Sequence, residues 1–142
     1  MCHEPRRALR GRMWYIGSME IRRAMPVIRT GDPAQARAFY EGFLGFRVVM
    51  DEDGMLMLAS TSTPTTQIIL AWESSSAVDP ELLGVDVSIE VADVDDAHKR
   101  AVTDGLDIVR ELRDEPWGIR RFFLRDPSGR TINVASHIAR RP

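Results

Sequence analysis

The chain has 142 residues, 44% of them apolar and 28% charged, with a formal charge of −2 and a single cysteine, Cys2. That length supports one domain with a sizeable core, and the composition is that of an ordinary soluble globular protein. One cysteine excludes an internal disulfide and a thiolate metal cluster, and no apolar run approaches the roughly 18 residues of a membrane span.

The charge is unevenly spread. Residues 1–18 carry Arg6, Arg7, Arg10 and Arg12 against Glu4, net +3, which leaves −5 on residues 19–142. An acidic body lacks the basic stripe that a phosphate backbone needs, so nucleic acid is not expected as a partner, and the absence of a long apolar run argues against a membrane. Residues 1–18 show no clean period and no apolar middle such as a secretory signal has. They are read as a disordered extension or as the result of an upstream start codon ahead of Met19, a basic arm over a partner subunit being the alternative reading, with 19–142 as one domain and cytoplasmic residence expected.

Ala24–Thr30 reads as a strand, with Pro26 near its start where a missing donor does least harm. Asp32-Pro33 opens a helix, Asp32 accepting from the free amides and Pro33 fitting the first helical position. The helix is expected to run to about Leu44, with Ala36, Phe39, Tyr40 and Phe43 forming one apolar face, and to end at Gly45. Strands follow at Phe46–Met50, Met55–Ser60 and Thr66–Trp72, and then the serine-rich stretch 73–84, which reads as a linker.

Val85–Val91 begins a second cycle. Asp93 caps a helix that runs to about Asp104, Gly105 ends it, and Asp107–Glu111 is the next strand. After Pro116-Trp117-Gly118, Ile119–Arg125 and Thr131–Ala135 form a hairpin closed by Asp126-Pro127-Ser128-Gly129. Asp32 and Asp93 both cap helices and lie 61 residues apart, and the order strand–helix–strand–strand–strand occurs twice. Two such copies are expected to pair into one closed sheet rather than to stack as a solenoid. The expected fold is α+β, two βαβββ modules at about 21–72 and 85–137.

Alternation along the strands separates two faces. One is consistently apolar and belongs under the helices. The other carries Arg29, Gln67, Asp86, Ser88, Glu90, Thr131 and Asn133, with Met25 and Ile69 among them. Such a face is either an ordinary solvated surface or the lining of a pocket with a few converging polar groups. Trp72 and Trp117, at strand ends, are either rim aromatics that stack on a planar ligand or residues of the core or a dimer seam. Asp86 and Glu90 share a face and are weak candidates for a general base, unless Glu90 pairs with Arg29. No nucleophilic triad or phosphate-binding glycine pattern is present.

Four stretches in order carry a family resemblance: Asp32-Pro33 through Phe39-Tyr40-Glu41-Gly42-Phe43-Leu44-Gly45-Phe46, Ile89-Glu90-Val91-Ala92-Asp93-Val94-Asp95, Pro116-Trp117-Gly118-Ile119-Arg120 with Phe122, and Arg125-Asp126-Pro127-Ser128-Gly129. Over about Ile21 to Ser136 the chain resembles the vicinal-oxygen-chelate superfamily of glyoxalase, bleomycin-resistance and extradiol-dioxygenase domains. The resemblance implies that the two modules form a curved mixed sheet, a half-barrel around a ligand cavity, and that the chain is a homodimer. It also implies that the positions where metal-dependent members carry two His, a Glu and a further carboxylate fall on Met25, Asp86, Asn133 and Ile69. Only Asp86 is an ordinary metal ligand, so no metal or other cofactor is expected. His98, mid-helix, and His137, past the last strand, do not complete a ligand set.

The resulting expectation is a metal-independent protein of the bleomycin-resistance type. It would sequester a small organic ligand, an antibiotic or aromatic natural product, through Arg29, Gln67, Ile69, Trp72, Asp86, Ser88, Trp117, Arg120, Phe122 and Asn133. The alternative is an enzyme on the same scaffold, a glyoxalase-like isomerase or lyase, or a dioxygenase, with Asp86 or Glu90 as base.

Overall fold

One chain motif is used twice. In the computed structural model, which describes residues 19–138, β1 (Ile21–Arg29) leads into α1 (Pro33–Arg37), whose last turns over Ala38–Phe43 are π-helical, and then into β2 (Arg47–Glu52), β3 (Met55–Ala59) and β4 (Gln67–Ala71). A 3₁₀ turn (Pro80–Gly84) bridges to β5 (Val87–Val91), α2 (Val94–Thr103), β6 (Ile108–Glu115), β7 (Ile119–Arg125) and β8 (Thr131–His137). The expectations for residues 1–18 lie outside the described residues.

The eight strands form one mixed sheet in the order β2-β3-β4-β1-β5-β8-β7-β6. The expectation of a closed sheet is corrected: the modules join only through β1 and β5, so β2 and β6 remain as two unpaired edges among the described residues. Each module pairs its first and last strands in parallel, β1 with β4 and β5 with β8. The two modules join through antiparallel β1 and β5, with Met25 opposite Ser88 and Arg23 opposite Glu90. The 61-residue offset between the capping aspartates is thus the sequence trace of a two-fold relation about the β1–β5 seam.

The caps form as the residue types dictate. Asp32 accepts from the Gln35 amide at 3.1 Å and Asp93 from the Asp96 amide at 3.0 Å. The Asp126 carboxylate accepts from the amides of Ser128 and Arg130, both at 2.9 Å, and Gly129 takes φ +88°, so five residues link the paired Arg125 and Thr131.

Both helices cover the same face. Beneath α1, Leu56, Leu58 and Leu70 are buried with Ile28, Ala36, Tyr40, Phe46 and Ile68 packed around them. Beneath α2, Val94, Ala97 and Ala101 meet Val91, Phe122 and Val134. The expected apolar stripe on the first helix is only half correct. The Leu44 amide bonds to the Phe39 carbonyl five residues back, so the helix takes one more residue per turn and Phe43 no longer falls in line with Ala36. Phe39 and Phe43 instead stack on each other, 51% and 76% exposed, with centroids 5.6 Å apart.

The segment read as a linker also differs. Its Pro80–Gly84 turn lies across the face that the helices leave free, with Leu82 buried at 4% exposure. Leu82 and Val85 join Met25, Val27, Met57, Ile69, Ala71 and Phe123 in one apolar cluster. An acidic, serine-rich run with two adjacent leucines is a tether by composition, but Leu82 and Leu83 have an apolar floor to cover.

Candidate functional site

The inner face, the one without helices, is built from alternate residues of every strand, and its chemistry changes along the strands. At one end, β1 and β5 bring Arg29 to Asp86, Nη2 to Oδ1 at 3.0 Å. Asp86 Oδ2 also accepts from the Thr131 amide at 2.9 Å. That amide bond first and the Arg29 contact second hold the Asp86 carboxyl below its ordinary range. Arg29 also donates to the Leu83 and Val85 carbonyls at 3.1 and 3.0 Å, so it anchors the end of the strap formed by residues 79–85.

The centre is buried. Ile69 is 3% exposed beneath the strap cluster, so its expected place on an open pocket wall is corrected: Leu82 and Val85 take that space. Ser88 and Asn133 lie side by side on β5 and β8, Asn133 Nδ2 donating to Ser88 Oγ at 2.8 Å.

At the other end, β1, β4, β5 and β8 converge on a polar cluster. Arg23 donates through Nε to Glu90 and through Nη1 to Gln67 Oε1, each at 2.6 Å. The second Glu90 oxygen lies 2.8 Å from His137 Nδ1. Burial pushes the Glu90 carboxyl up, but the His137 hydrogen bond and the Arg23 charge together outweigh it and leave the group below its ordinary range. Glu90 does not pair with Arg29. The antiparallel register sets Arg23 opposite it and leaves Arg29 at the far end of β1.

Along the β6–β7 flank, a cluster of charged residues locks the strap down. Arg121, 3% exposed in its side chain, holds both oxygens of Asp79 at 2.6 and 2.9 Å and donates to Glu115 at 2.7 Å. Arg110 reaches both oxygens of Glu81 at 3.1 and 2.9 Å and also contacts Glu115. The hydrogen bond from Arg110 is the main reason that the Glu81 carboxyl lies below its ordinary range. Arg121 further stacks over Trp117 and Phe123, 5.2 and 5.0 Å from their centroids.

Three expected ligand contacts lie elsewhere. Phe122 points under α2, 1% exposed and edge-on to His98 at 5.0 Å, because its β8 partner is Val134, a helix-side residue. Arg120 shares that parity and binds Asp95 and Asp114 at 3.0 and 2.9 Å. Trp72 continues the parity of Ile68 and Leu70 and packs with them on the α1 side. The inner-face residues of β7 are Arg121 and Phe123, one position along from those expected. The signal lay in the hairpin: five connecting residues pair Phe123 with Asn133, so the two must share a face. Trp117 is 42% exposed at the turn between β6 and β7, beside Arg121.

The donors at the superfamily's metal positions do not suit an ion. Met25 and Ile69 are core residues, Asn133 offers a neutral amide, and Asp86 is engaged by Arg29 and the Thr131 amide. Among the described residues no group of three or more His, Cys, Asp or Glu converges to hold a metal. An open depression of about 380 Å³ lies outside this face, at the start of α2, lined by Asp93, Asp95, Asp114, Arg120 and His137 among others. No helix among the described residues is long and apolar enough to cross a membrane.

Comparison with known proteins agrees with this architecture. Methylmalonyl-CoA epimerase from Mycobacterium tuberculosis is similar at a TM-score of 0.69 and 21% identity, over 87% of this chain and 93% of that one. A glyoxalase/bleomycin resistance protein/dioxygenase superfamily member from Vibrio splendidus matches at 0.60 and 18%, over 80% and 97%. An extradiol ring-cleaving dioxygenase from B. fuscum matches at 0.62 and 18%, over 92% of this chain and 37% of the dioxygenase. At these identities the likeness concerns the fold. No curated protein matches the sequence. The family model of the Glyoxalase/Bleomycin resistance protein/Dioxygenase superfamily matches residues 21–134, and the chain belongs to that superfamily.

Proposed function

We propose that this protein binds a small organic molecule on its inner face without a resident metal, in the manner of the sequestering members of its superfamily. The observation that carries the reading is the chemistry of four positions: Met25, Ile69, Asp86 and Asn133 supply two apolar side chains, a neutral amide and a carboxylate already paired with Arg29. What the face does offer is suited to an organic guest: an apolar floor, the Arg23–Gln67–Glu90–His137 cluster at one end and the Trp117 ring at the turn. Protection of a cell would follow from mass action alone. Fluorescence titration of a Trp14→Phe/Trp72→Phe protein against aromatic natural products tests it. Saturable quenching of Trp117 with a raised melting temperature is expected, and a panel that changes neither would refute it.

A second reading is favoured by one contact. Glu90 holds His137 Nδ1 and leaves Nε2 on a side chain that is 61% exposed, an arrangement suited to taking a proton from carbon. The epimerase neighbours make methylmalonyl-CoA the substrate to try. Deuterium entering its acidic carbon in D₂O, and not entering with the His137→Ala protein, would establish this chemistry.

A further inference from the structure

The buried centre of the inner face contains one polar atom that the protein does not satisfy. Asn133 is 5% exposed, its Nδ2 donates to Ser88, and its Oδ1 has no hydrogen-bond partner among the described residues. Buried carboxamide oxygens are nearly always paired, since desolvation removes their water and nothing else replaces it. Apolar residues stand beside it in the sheet register. Phe123 faces Asn133 across the β7–β8 ladder, Met25 faces Ser88 across the module seam, and both belong to the cluster beneath Leu82 and Val85.

We propose that Asn133 Oδ1 is the recognition point of a subsite covered by the Asp79–Val85 strap, which takes a compact ring compound presenting a single O–H or N–H donor. This rests on the reading of the inner face as a binding surface and names the ligand class. The acceptor is neutral where metal-dependent relatives would carry a charged ligand, so it discriminates in favour of a donor group and gives little to a cation. Leu82 is the side chain that such a ring displaces. The strap backbone stays fastened, by the Asp79 and Glu81 carboxylates on Arg121 and Arg110 and by two backbone carbonyls on Arg29, so it is the Leu82 side chain that turns aside. The ring then takes over the apolar contacts of Leu82 with Met57, Ile69 and Phe123.

Phenol and toluene test this, because they match in shape and differ in the donor. A purely apolar cavity prefers toluene, whereas a site with an unpaired buried acceptor prefers phenol. Calorimetric titration of the full chain is expected to give phenol at least about tenfold tighter binding than toluene, the scale of one buried hydrogen bond. The order should reverse in Asn133→Leu, and Leu82→Ala should tighten both probes. If Asn133→Leu does not fold, the wild-type side-chain amide signal of Asn133 serves instead: it should shift with phenol and not with toluene. Equal or better binding of toluene by the wild type, an Asn133 signal indifferent to phenol, or no binding of either probe even by Leu82→Ala overturns the subsite. Natural products that quench Trp117 equally well in wild type and Asn133→Leu would remove the subsite and leave the binding function standing.

Discussion

Arg121 and Asp79 meet in a two-pronged ion pair, Nη1 to Oδ2 at 2.6 Å and Nη2 to Oδ1 at 2.9 Å, that fastens the connection between the modules onto β7. Glu115 completes the contact on the far side of the guanidinium. Removing the cation would leave two carboxylates poorly solvated, their side chains 11% and 5% exposed. Arg121→Ala is therefore expected to cost about 3–5 kcal/mol, a large part of the roughly 5–15 kcal/mol that keeps a domain folded. Urea denaturation measures it. A loss below about 1 kcal/mol would show that the pair contributes as little as a surface ion pair.

The same cluster gives the strap an acid limit. Glu81 is faced by Arg110, Arg113 and Arg121, with Glu115 and Asp79 beside them, and its carboxyl lies below the ordinary value of 4.5 in the folded chain. The folded protein thus binds fewer protons than the unfolded one near that pH. The stabilisation is complete above the unfolded value and is lost as pH falls through the lowered folded value. Hydrogen exchange at the Leu82 and Val85 amides should accelerate on moving from about pH 7 to about pH 3.5 by more than the intrinsic pH dependence of exchange, and this excess should shrink in Glu81→Gln. An excess of equal size in both proteins would assign the acid sensitivity to other carboxylates.

Two large apolar side chains, one on each face, should respond oppositely to truncation. Leu82→Ala empties space above Met57, Ile69 and Phe123 and is expected to cost about 2–5 kcal/mol. Phe43, 76% exposed on the π-helical turn, should tolerate serine within about 0.5 kcal/mol. Thermal melts of the two variants at equal concentration make the comparison. A Phe43→Ser loss as large as that of Leu82→Ala would mean that the ring is covered in solution.

Metal analysis separates the donor argument from its alternatives. Protein purified without chelator is expected to carry well under one equivalent of zinc, iron, nickel or cobalt, and chelator should leave its melting temperature unchanged. Near-stoichiometric metal, with a melt that falls on chelation, would require ligands other than Met25, Ile69, Asp86 and Asn133.

The sequence made the doubled βαβββ order legible, because each module announces itself through local signals: Asp32 and Asp93 as caps, Gly45 and Gly105 as stops, Asp126 to Gly129 as a turn. Those signals act within a few residues and depend little on tertiary context. The inner face was legible only where alternation was followed to the strand ends. Ser88 and Asn133 were placed together correctly. Trp72, Arg120 and Phe122 were not, although the parity of Leu70 and the pairing of Phe123 with Asn133 determine their side. The strap was not legible at all. Leu82 and Leu83 stand in an acidic loop without periodicity, and Arg121 and Arg110, which hold the strap through Asp79 and Glu81, lie 42 and 29 residues from those partners in sequence. The Glu90–Arg23 pair was missed for a similar reason: it depends on the register of two strands from different modules.

The seam between β1 and β5 has one further result. Its two-fold relation makes Ile69, beside Val27, the counterpart of Asn133, beside Ser88. Had duplication left these positions alike, a molecule held between them could turn end for end without penalty. With one side apolar and the other a hydrogen-bond acceptor, a guest bound there would have a head and a tail, and a protein built from two equal halves would tell left from right.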